Sequence, residues 1–151
     1  MTTDDAASLA ARHGHEHCLL CGSSSPLSPG LAFQPDGDGG VWADLRCDQR
    51  LQGYAGLLHG GVVAALLDAA MTHCLFHHGV TALTGELRVR YAHPVPCNAG
   101  LAIRARLLKA RPPLYRLRAE LAREGEVMAW AEASFVRRGA AGPAREKSFA
   151  P

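Results

Sequence analysis

The sequence lacks an excess of charge of either sign. It has 16 Lys and Arg against 14 Asp and Glu, a formal net charge of +2 at neutral pH. So small a charge creates no strong basic field, and we therefore expect no nucleic-acid partner. The 151 residues, 48% hydrophobic and 20% charged, suit one globular domain with a sizeable core.

The sequence also lacks the marks of a secreted or membrane protein. Its start, MTTDDAASLAARHGHEH, has no basic segment followed by an apolar one. The longest apolar run, around Val62–Leu75, is interrupted by Asp68, Thr72 and His73, so we expect it to be too short and too polar to cross a bilayer. The cysteine count, five, is odd, and we expect no disulfide framework. The expected location is the cytoplasm, without a membrane partner.

Apolar spacing predicts one α+β domain at residues 13–138, with flexible tails at residues 1–12 and 139–151. A single long helix is predicted at Gly60–His78, where apolar residues recur at helical spacing and Gly79 follows as a stop signal. The segment 114–124 fits helix or strand by periodicity, but its strict alternation favours strand. Consecutive strands with short turns indicate an antiparallel sheet that buries one side of the helix. The predicted strands are Gly30–Gln34, Val41–Cys47, Thr81–Pro94, Leu101–Ala110, Leu114–Glu124 and Val127–Arg138.

The predicted helix carries one acid without a partner. Asp68 is the only Asp, Glu, Lys or Arg between Arg50 and Glu86, so no cation lies three or four residues away to form a helical ion pair. An acid among apolar neighbours tends to have a raised pKa, which suits a general base. The alternative is an exposed acid on a solvated helix face, but this helix is too apolar to have such a face.

A histidine and two glycines open the helix. Gly60 and Gly61 leave the amides of the first turn unshielded, and the helix dipole adds positive potential there, so this end could hold an oxyanion. The alternative is a helix entry where glycine only permits a turn or close packing. His59 has three candidate roles, which are acid or base, N-terminal cap, and loop shaping.

Two motifs, GYAGLLHGGVVAALLDAAM at 53–71 and TGELRVRYAHPVP at 84–96, resemble those of the PaaI-type acyl-CoA thioesterases of the 4-hydroxybenzoyl-CoA thioesterase superfamily. CLLCG at 18–22 followed by GLAF at 30–33 is also similar to relatives of this branch. The resemblance covers residues 18–136. It implies the hotdog fold, in which an antiparallel sheet of five or six strands wraps around one long central helix.

The resemblance implies an enzyme that hydrolyses an acyl-CoA thioester without a metal or organic cofactor. It also implies a homodimer, in some members a dimer of dimers, in which each site takes the helix start from one subunit and the acid from the other. Asp68 would be the general base or nucleophile, and the Gly60 amide the oxyanion donor. His59 would orient the thioester, and Thr84 would position the water.

Substrate-binding residues are predicted at the helix start, in the preceding loop and among the arginines. Gly61 belongs to the first group, and Gln52 or its neighbour Gly53 stands where some relatives carry Asn or Gln. CoA phosphates call for cations, although such arginines also suit a solvated outer sheet face. The candidate arginines are Arg90, Arg111 and Arg137.

Two other functions stay open. A non-catalytic acyl-CoA binder or sensor could use the same fold, although a retained Asp68 argues against it. A hydratase or dehydratase would also use an acyl thioester, but such hotdog enzymes usually pair an acid with a catalytic histidine at a different spacing.

The segment HGHEHCLLCG at 13–22 is rich in possible soft-metal ligands. Cys-x-x-Cys is a common half of a zinc site, but the sequence has no second half, and four ligands within this segment would be cramped. The resemblance implies a turn here, as in relatives that carry the paired cysteines without the histidines. We therefore expect no metal, and a metal site in this segment is the alternative that stays open. The possible ligands are His13, His15, His17, Cys18 and Cys21. Three further histidines late in the helix, His73, His77 and His78, are expected at the surface or as partners of the C-terminal dipole.

Overall fold

A computed structural model describes residues 1–139 of the chain. The two helices are α1, Thr3–Arg12, and α2, Gly60–His77. A short 3-10 helix, Gln49–Leu51, precedes α2. The six strands are β1 Gln34–Pro35, β2 Val41–Leu45, β3 Ala82–Tyr91, β4 Leu101–Arg111, β5 Leu114–Arg123 and β6 Glu126–Arg137.

All six strands form one antiparallel sheet in the order β1-β2-β4-β5-β6-β3. Alternate residues of β4, β5 and β6 face α2, and their side chains are buried, because a strand presents every second residue to the same side. Ile103, Leu117 and Phe135 are among the fully buried ones. The predicted α+β hotdog arrangement, an antiparallel sheet packed around one long helix, is confirmed.

Helix α2 is the centre of the core. It is 18 residues long, and Leu66 and Leu67 are completely buried against the sheet. With a mean hydropathy of 1.3, it is long and apolar enough to cross a membrane, so the prediction that this run is too short and too polar was wrong. Since 61% of the helix is buried inside the protein, it also fits the core helix of a globular domain.

The N-terminal segment is a helix rather than the predicted flexible tail. Thr2 caps α1, and its hydroxyl accepts a hydrogen bond from the Asp5 amide while the Asp5 carboxylate accepts one from the Thr2 amide. This reciprocal capping box stabilises a helix start. Ala6 and Ala10 are buried, which places one side of α1 against the domain. Alanine-rich composition had suggested a loose tail, but alanine is also the best helix former.

One further prediction differs from the structure, and another falls outside the described residues. The strand predicted at Gly30–Gln34 pairs with its neighbour β2 only from Gln34 onwards. Leu31 and Phe33 are nevertheless buried in the core. Its apolar residues therefore pack as predicted, but without the backbone pairing of a strand. The tail predicted at 139–151 lies outside the described residues, apart from Gly139.

Packing of α1 can be tested with a matched pair of variants. Ala10→Glu places a charge in a buried position, whereas Ala7→Glu changes an exposed position on the same helix. We expect Ala10→Glu to speed amide hydrogen exchange across residues 3–12 and Ala7→Glu to leave it almost unchanged, as measured by mass spectrometry. Equal protection in both variants would show that α1 does not pack as described.

Candidate active site

His59 caps α2. Its backbone is extended, and its Nδ1 accepts a hydrogen bond of 2.8 Å from the Gly61 amide. Of the three roles predicted for His59, the structure shows the N-terminal cap. The bond also ties up the Gly61 amide, so Gly61 is not a free donor for a substrate. A Cβ on Gly61 would lie 3.0 Å from His59 Nδ1, so glycine leaves room for the capping ring.

The Gly60 amide is the free donor at this helix start. Within residues 1–139 it has no hydrogen-bond acceptor, and Gly60 is exposed. Its carbonyl accepts a 2.7 Å hydrogen bond from the Tyr91 hydroxyl, which ties the helix start to β3. Leu58, Gly60, Val63 and Tyr91 help to line a cavity of about 270 Å³ here. Sequence reasoning missed Tyr91, because nothing in a strand pattern shows which helix position it meets.

Asp68 is half-buried on the helix, and its Oδ1 accepts a 2.6 Å hydrogen bond from the Thr84 hydroxyl. Burial raises the pKa of this carboxyl group, while the Thr84 bond and then the charge of His15 partly oppose the rise. Across the described residues, Asp68 takes part in no ion pair. It therefore has the raised pKa predicted for a base, and the structure adds partial burial and a hydrogen bond from a neutral donor.

A β-bulge aims Thr84 at Asp68. Thr84 pairs with Phe135 and Glu86 pairs with Ser134, so Gly85 is an extra residue in β3. In a regular strand, Thr84 would lie on the same outer face as Glu86, because every second side chain points to the same side. The bulge instead places Thr84 on the face of the buried Phe135, towards α2.

The two candidate reactive groups, the Gly60 amide and the Asp68 carboxylate, lie far apart within one chain. Asp68 follows Gly60 by eight positions, which corresponds to about 12 Å along a helix. A single thioester carbonyl cannot contact both. The sheet leaves this side of α2 partly open, since Gly61 is exposed and Ala64, Ala65 and Asp68 are only half-buried.

The other predicted binding residues lie around the same helix start or at distant sheet positions. The Gln52 side-chain oxygen accepts a bond from the Gly56 amide within its own loop. A Cβ on Gly53 would lie 3.2 Å from the His59 Cα, so glycine permits the loop to pack there. Arg111 and Arg137 lie at one end of the sheet, whereas Arg90 pairs across from Trp130 in the body of the sheet. The three exposed arginines do not form one cluster.

A larger surface cavity lies elsewhere. It measures about 720 Å³ and is lined by residues of β2, β4 and β5, including Asp44, Arg104 and Glu120. It contains none of the helix-start or acid residues. We place the candidate site at α2 because that is where a free amide and an acid with a raised pKa are found.

The N-terminal histidines and cysteines pack against the end of α2. His13 stacks on Phe76 at 4.4 Å, and His15 approaches the rings of Phe76 and His73 edge-on. His73 was expected at the surface but is 2% exposed, because residues 13–22 cover this part of the helix, and burial lowers its pKa to about 3. Burial raises the pKa of Cys21 to about 12, so this thiol is not an activated nucleophile.

Comparisons with known proteins bear on the family and the fold. The family model of the thioesterase superfamily matches residues 55–129. Acyl-coenzyme A thioesterase THEM4 of Mus musculus is 34% identical over 59 residues, which are 39% of this chain and 25% of that protein. The chain thus aligns with about a quarter of the length of the curated relatives it matches.

Solved structures are similar over a longer range. A thioesterase superfamily protein superposes with a TM-score of 0.76 at 26% identity, covering 80% of this chain and 63% of the other. A hypothetical thioesterase from Streptococcus pneumoniae TIGR4, solved with coenzyme A, superposes with a TM-score of 0.67 at 17% identity, covering 71% and 87%. The second similarity establishes the shared fold.

The raised pKa of Asp68 predicts that this residue destabilises the domain at neutral pH. A folded-state pKa above the unfolded value means that the folded state binds the proton more tightly, so stability is lost as the pH rises through the folded-state pKa. Asp68→Asn, which keeps an acceptor for Thr84, should therefore raise the melting temperature at pH 7. Asp44→Asn, at an exposed position of β2, is the control. A lower melting temperature for Asp68→Asn alone would contradict the burial effect.

Proposed function

We propose that the chain is an acyl-CoA thioesterase that hydrolyses its substrate to a free acid and CoA, because the thioesterase superfamily model matches residues 55–129. The observation that carries the proposal is the half-buried Asp68, held by Thr84 on the open side of a helix whose first amide is free. The similarity to THEM4 supports the acyl-CoA substrate class. The assignment to the PaaI-type branch rests on the resemblance of the motifs at 53–71 and 84–96.

In the proposed reaction, Asp68 accepts a proton from water as the water oxygen attacks the thioester carbonyl, or its carboxylate attacks directly. Negative charge develops on the carbonyl oxygen, where the Gly60 amide donates a hydrogen bond. Such a donor contributes on the order of 3 kcal/mol to the transition state. When water attacks, the C–S bond then breaks and the CoA sulfur leaves with the proton that Asp68 accepted. When Asp68 attacks, breakage of the C–S bond leaves a mixed anhydride on Asp68 and a CoA thiolate. Water then hydrolyses the anhydride to the free acid and restores the Asp68 carboxylate, and the remaining proton of the water passes to the thiolate. Thr84 holds the carboxylate and helps to position the water.

We propose that two chains complete each site. The Gly60 amide and Asp68 of one chain are about 12 Å apart, so the acid must meet the helix start of a second chain. Strand β3 pairs only with β6 among the described strands, which leaves its other edge for a partner. A twofold axis beside β3 and the small residues of α2 would bring each Gly60 towards the other chain's Asp68. A further pairing into tetramers stays a prediction.

The remaining assignments concern substrate contacts, cofactors and location. Gln52 and Gly53 would shape the loop beside the thioester, and exposed Arg90, Arg111 or Arg137 would contact the CoA phosphates. The reaction needs no metal or organic cofactor. The cytoplasm remains the proposed location.

Thiol release from a panel of short, medium, long and aromatic acyl-CoAs tests the activity. We expect release from at least one substrate, and a loss of about 10²–10⁴-fold in kcat for Asp68→Asn, because the proton acceptor is removed. Substrate binding should persist in this variant, as measured by calorimetry. Binding without release by the wild-type protein would instead favour the acyl-CoA binder, and wild-type turnover by Asp68→Asn would exclude Asp68 as the base.

A proline at the first helical position tests the oxyanion donor. Gly60→Pro removes the amide N–H and adds a ring, and proline is well tolerated at this helix position after the extended His59. Gly60→Ala keeps the amide, and its Cβ would meet Tyr91 at an ordinary 3.7 Å. We expect Gly60→Pro to lower kcat by about 10²–10³-fold and Gly60→Ala to have a much smaller effect. Equal losses would indicate a steric role for the glycine.

Mixing the two inactive variants tests the shared site. A mixed dimer of Gly60→Pro and Asp68→Asn chains has one site with both changes and one with neither, so activity should return to about a quarter of the wild-type value after subunit exchange. Each variant treated alone in the same way is the control. If mixing restores nothing although exchange is shown by mass spectrometry, both groups act within one chain.

A further inference from the structure

We propose that His15, Cys18 and Cys21 bind a zinc ion. One ligand atom from each residue, an imidazole nitrogen and two thiol sulfurs, lies within 4.8 Å of the others. A soft set of two sulfurs and one imidazole suits zinc rather than magnesium or calcium, which prefer oxygen. The prediction of no metal rested on the missing second half-site. The fold supplies His15 as a third ligand next to the Cys-x-x-Cys pair.

The spacing of the ligand atoms fits a tetrahedral ion. His15 Nδ1 lies 3.5 Å from Cys21 Sγ. Zinc bonds of about 2.05 Å to nitrogen and 2.3 Å to sulfur, at a tetrahedral angle, separate the two ligand atoms by about 3.6 Å. The ion can therefore enter with little movement of these two side chains. Its binding would release the two thiol protons to solvent.

The backbone holds the two cysteines in a tight turn. The Cys18 amide donates to the His15 carbonyl at 3.1 Å, and the Gly22 amide donates to the Cys18 carbonyl at 2.9 Å. A Cβ on Gly22 would lie 2.5 Å from the Cys18 oxygen and 2.7 Å from the Glu16 oxygen, so only glycine fits this wrapped position. The turn therefore presents both thiols and the imidazole in a nearly preorganised arrangement.

The ion would fasten the N-terminal segment to α2. His15 contacts the rings of Phe76 and His73 on the helix, while Cys18 and Cys21 lie on the loop that covers it. Three protein ligands leave the fourth tetrahedral position for water or another small ligand. His17 is exposed and bonds Ser24 at 3.0 Å, which sets it apart from the three ligands.

Metal content of protein purified without a nickel column tests the site. We expect about one zinc per reduced wild-type chain, and at least about a tenfold lower content in His15→Ala, Cys18→Ser and Cys21→Ser. His17→Ala and Cys97→Ser, which change a histidine and a cysteine outside the site, should keep the ion. Absence of zinc from wild-type protein grown with added zinc, or equal loss in the two controls, would overturn the proposal.

Two further measurements use only wild-type protein, so they do not require any variant to fold. Cobalt substitution should give a tetrahedral visible spectrum with a thiolate charge-transfer band, and removal of zinc by a chelator should speed hydrogen exchange across residues 3–22. Cobalt bound without the thiolate band would rule out the cysteines. These readouts need no acyl-CoA, so their failure is distinguishable from failure of the proposed thioesterase activity.

Discussion

Burial of α2 by the sheet is the interaction on which the rest of the molecule depends. The helix is apolar along nearly its whole length, and its second half is buried on every side from Ala69 to Phe76. Each fully buried Leu, Met or Phe side chain of the helix contributes roughly 1.5–3 kcal/mol to stability relative to an exposed one. The sheet covers most of the first half but leaves one side, which ends at Asp68, open to a partner or a substrate.

The candidate site follows from how the helix meets the strands. The His59 cap consumes one of the first amides and leaves the Gly60 amide free, while Tyr91 holds the Gly60 carbonyl. The bulge at Gly85 turns Thr84 towards Asp68, so an irregularity of one residue decides whether the acid has a donor. The partly positive start of the helix and an acid with a raised pKa thus lie two turns apart on one helix, a separation that the proposed second chain would bridge.

The N-terminal segment adds a second layer to the same helix. Residues 1–22 form a capped helix and a tight turn whose imidazoles pack on the last turns of α2. This packing explains why His73 is a core residue, and it brings His15 close enough to influence the pKa of Asp68. The segment that carries the proposed zinc ion therefore lies beside the proposed catalytic acid.

The sequence by itself determined the core helix, five of the six strands within a few residues, and the candidate residues at 59–61 and 68, while Thr84 came from the resemblance to a known family. These features are local, since they depend on periodicity, turn residues and an acid with no nearby partner. The short first strand, the bulge, the bond from Tyr91 to Gly60, the burial of His73 and the grouping of His15 with two cysteines were decided only by the tertiary structure. Each depends on which distant segments meet, and periodicity along one segment contains no information about its neighbour across the fold.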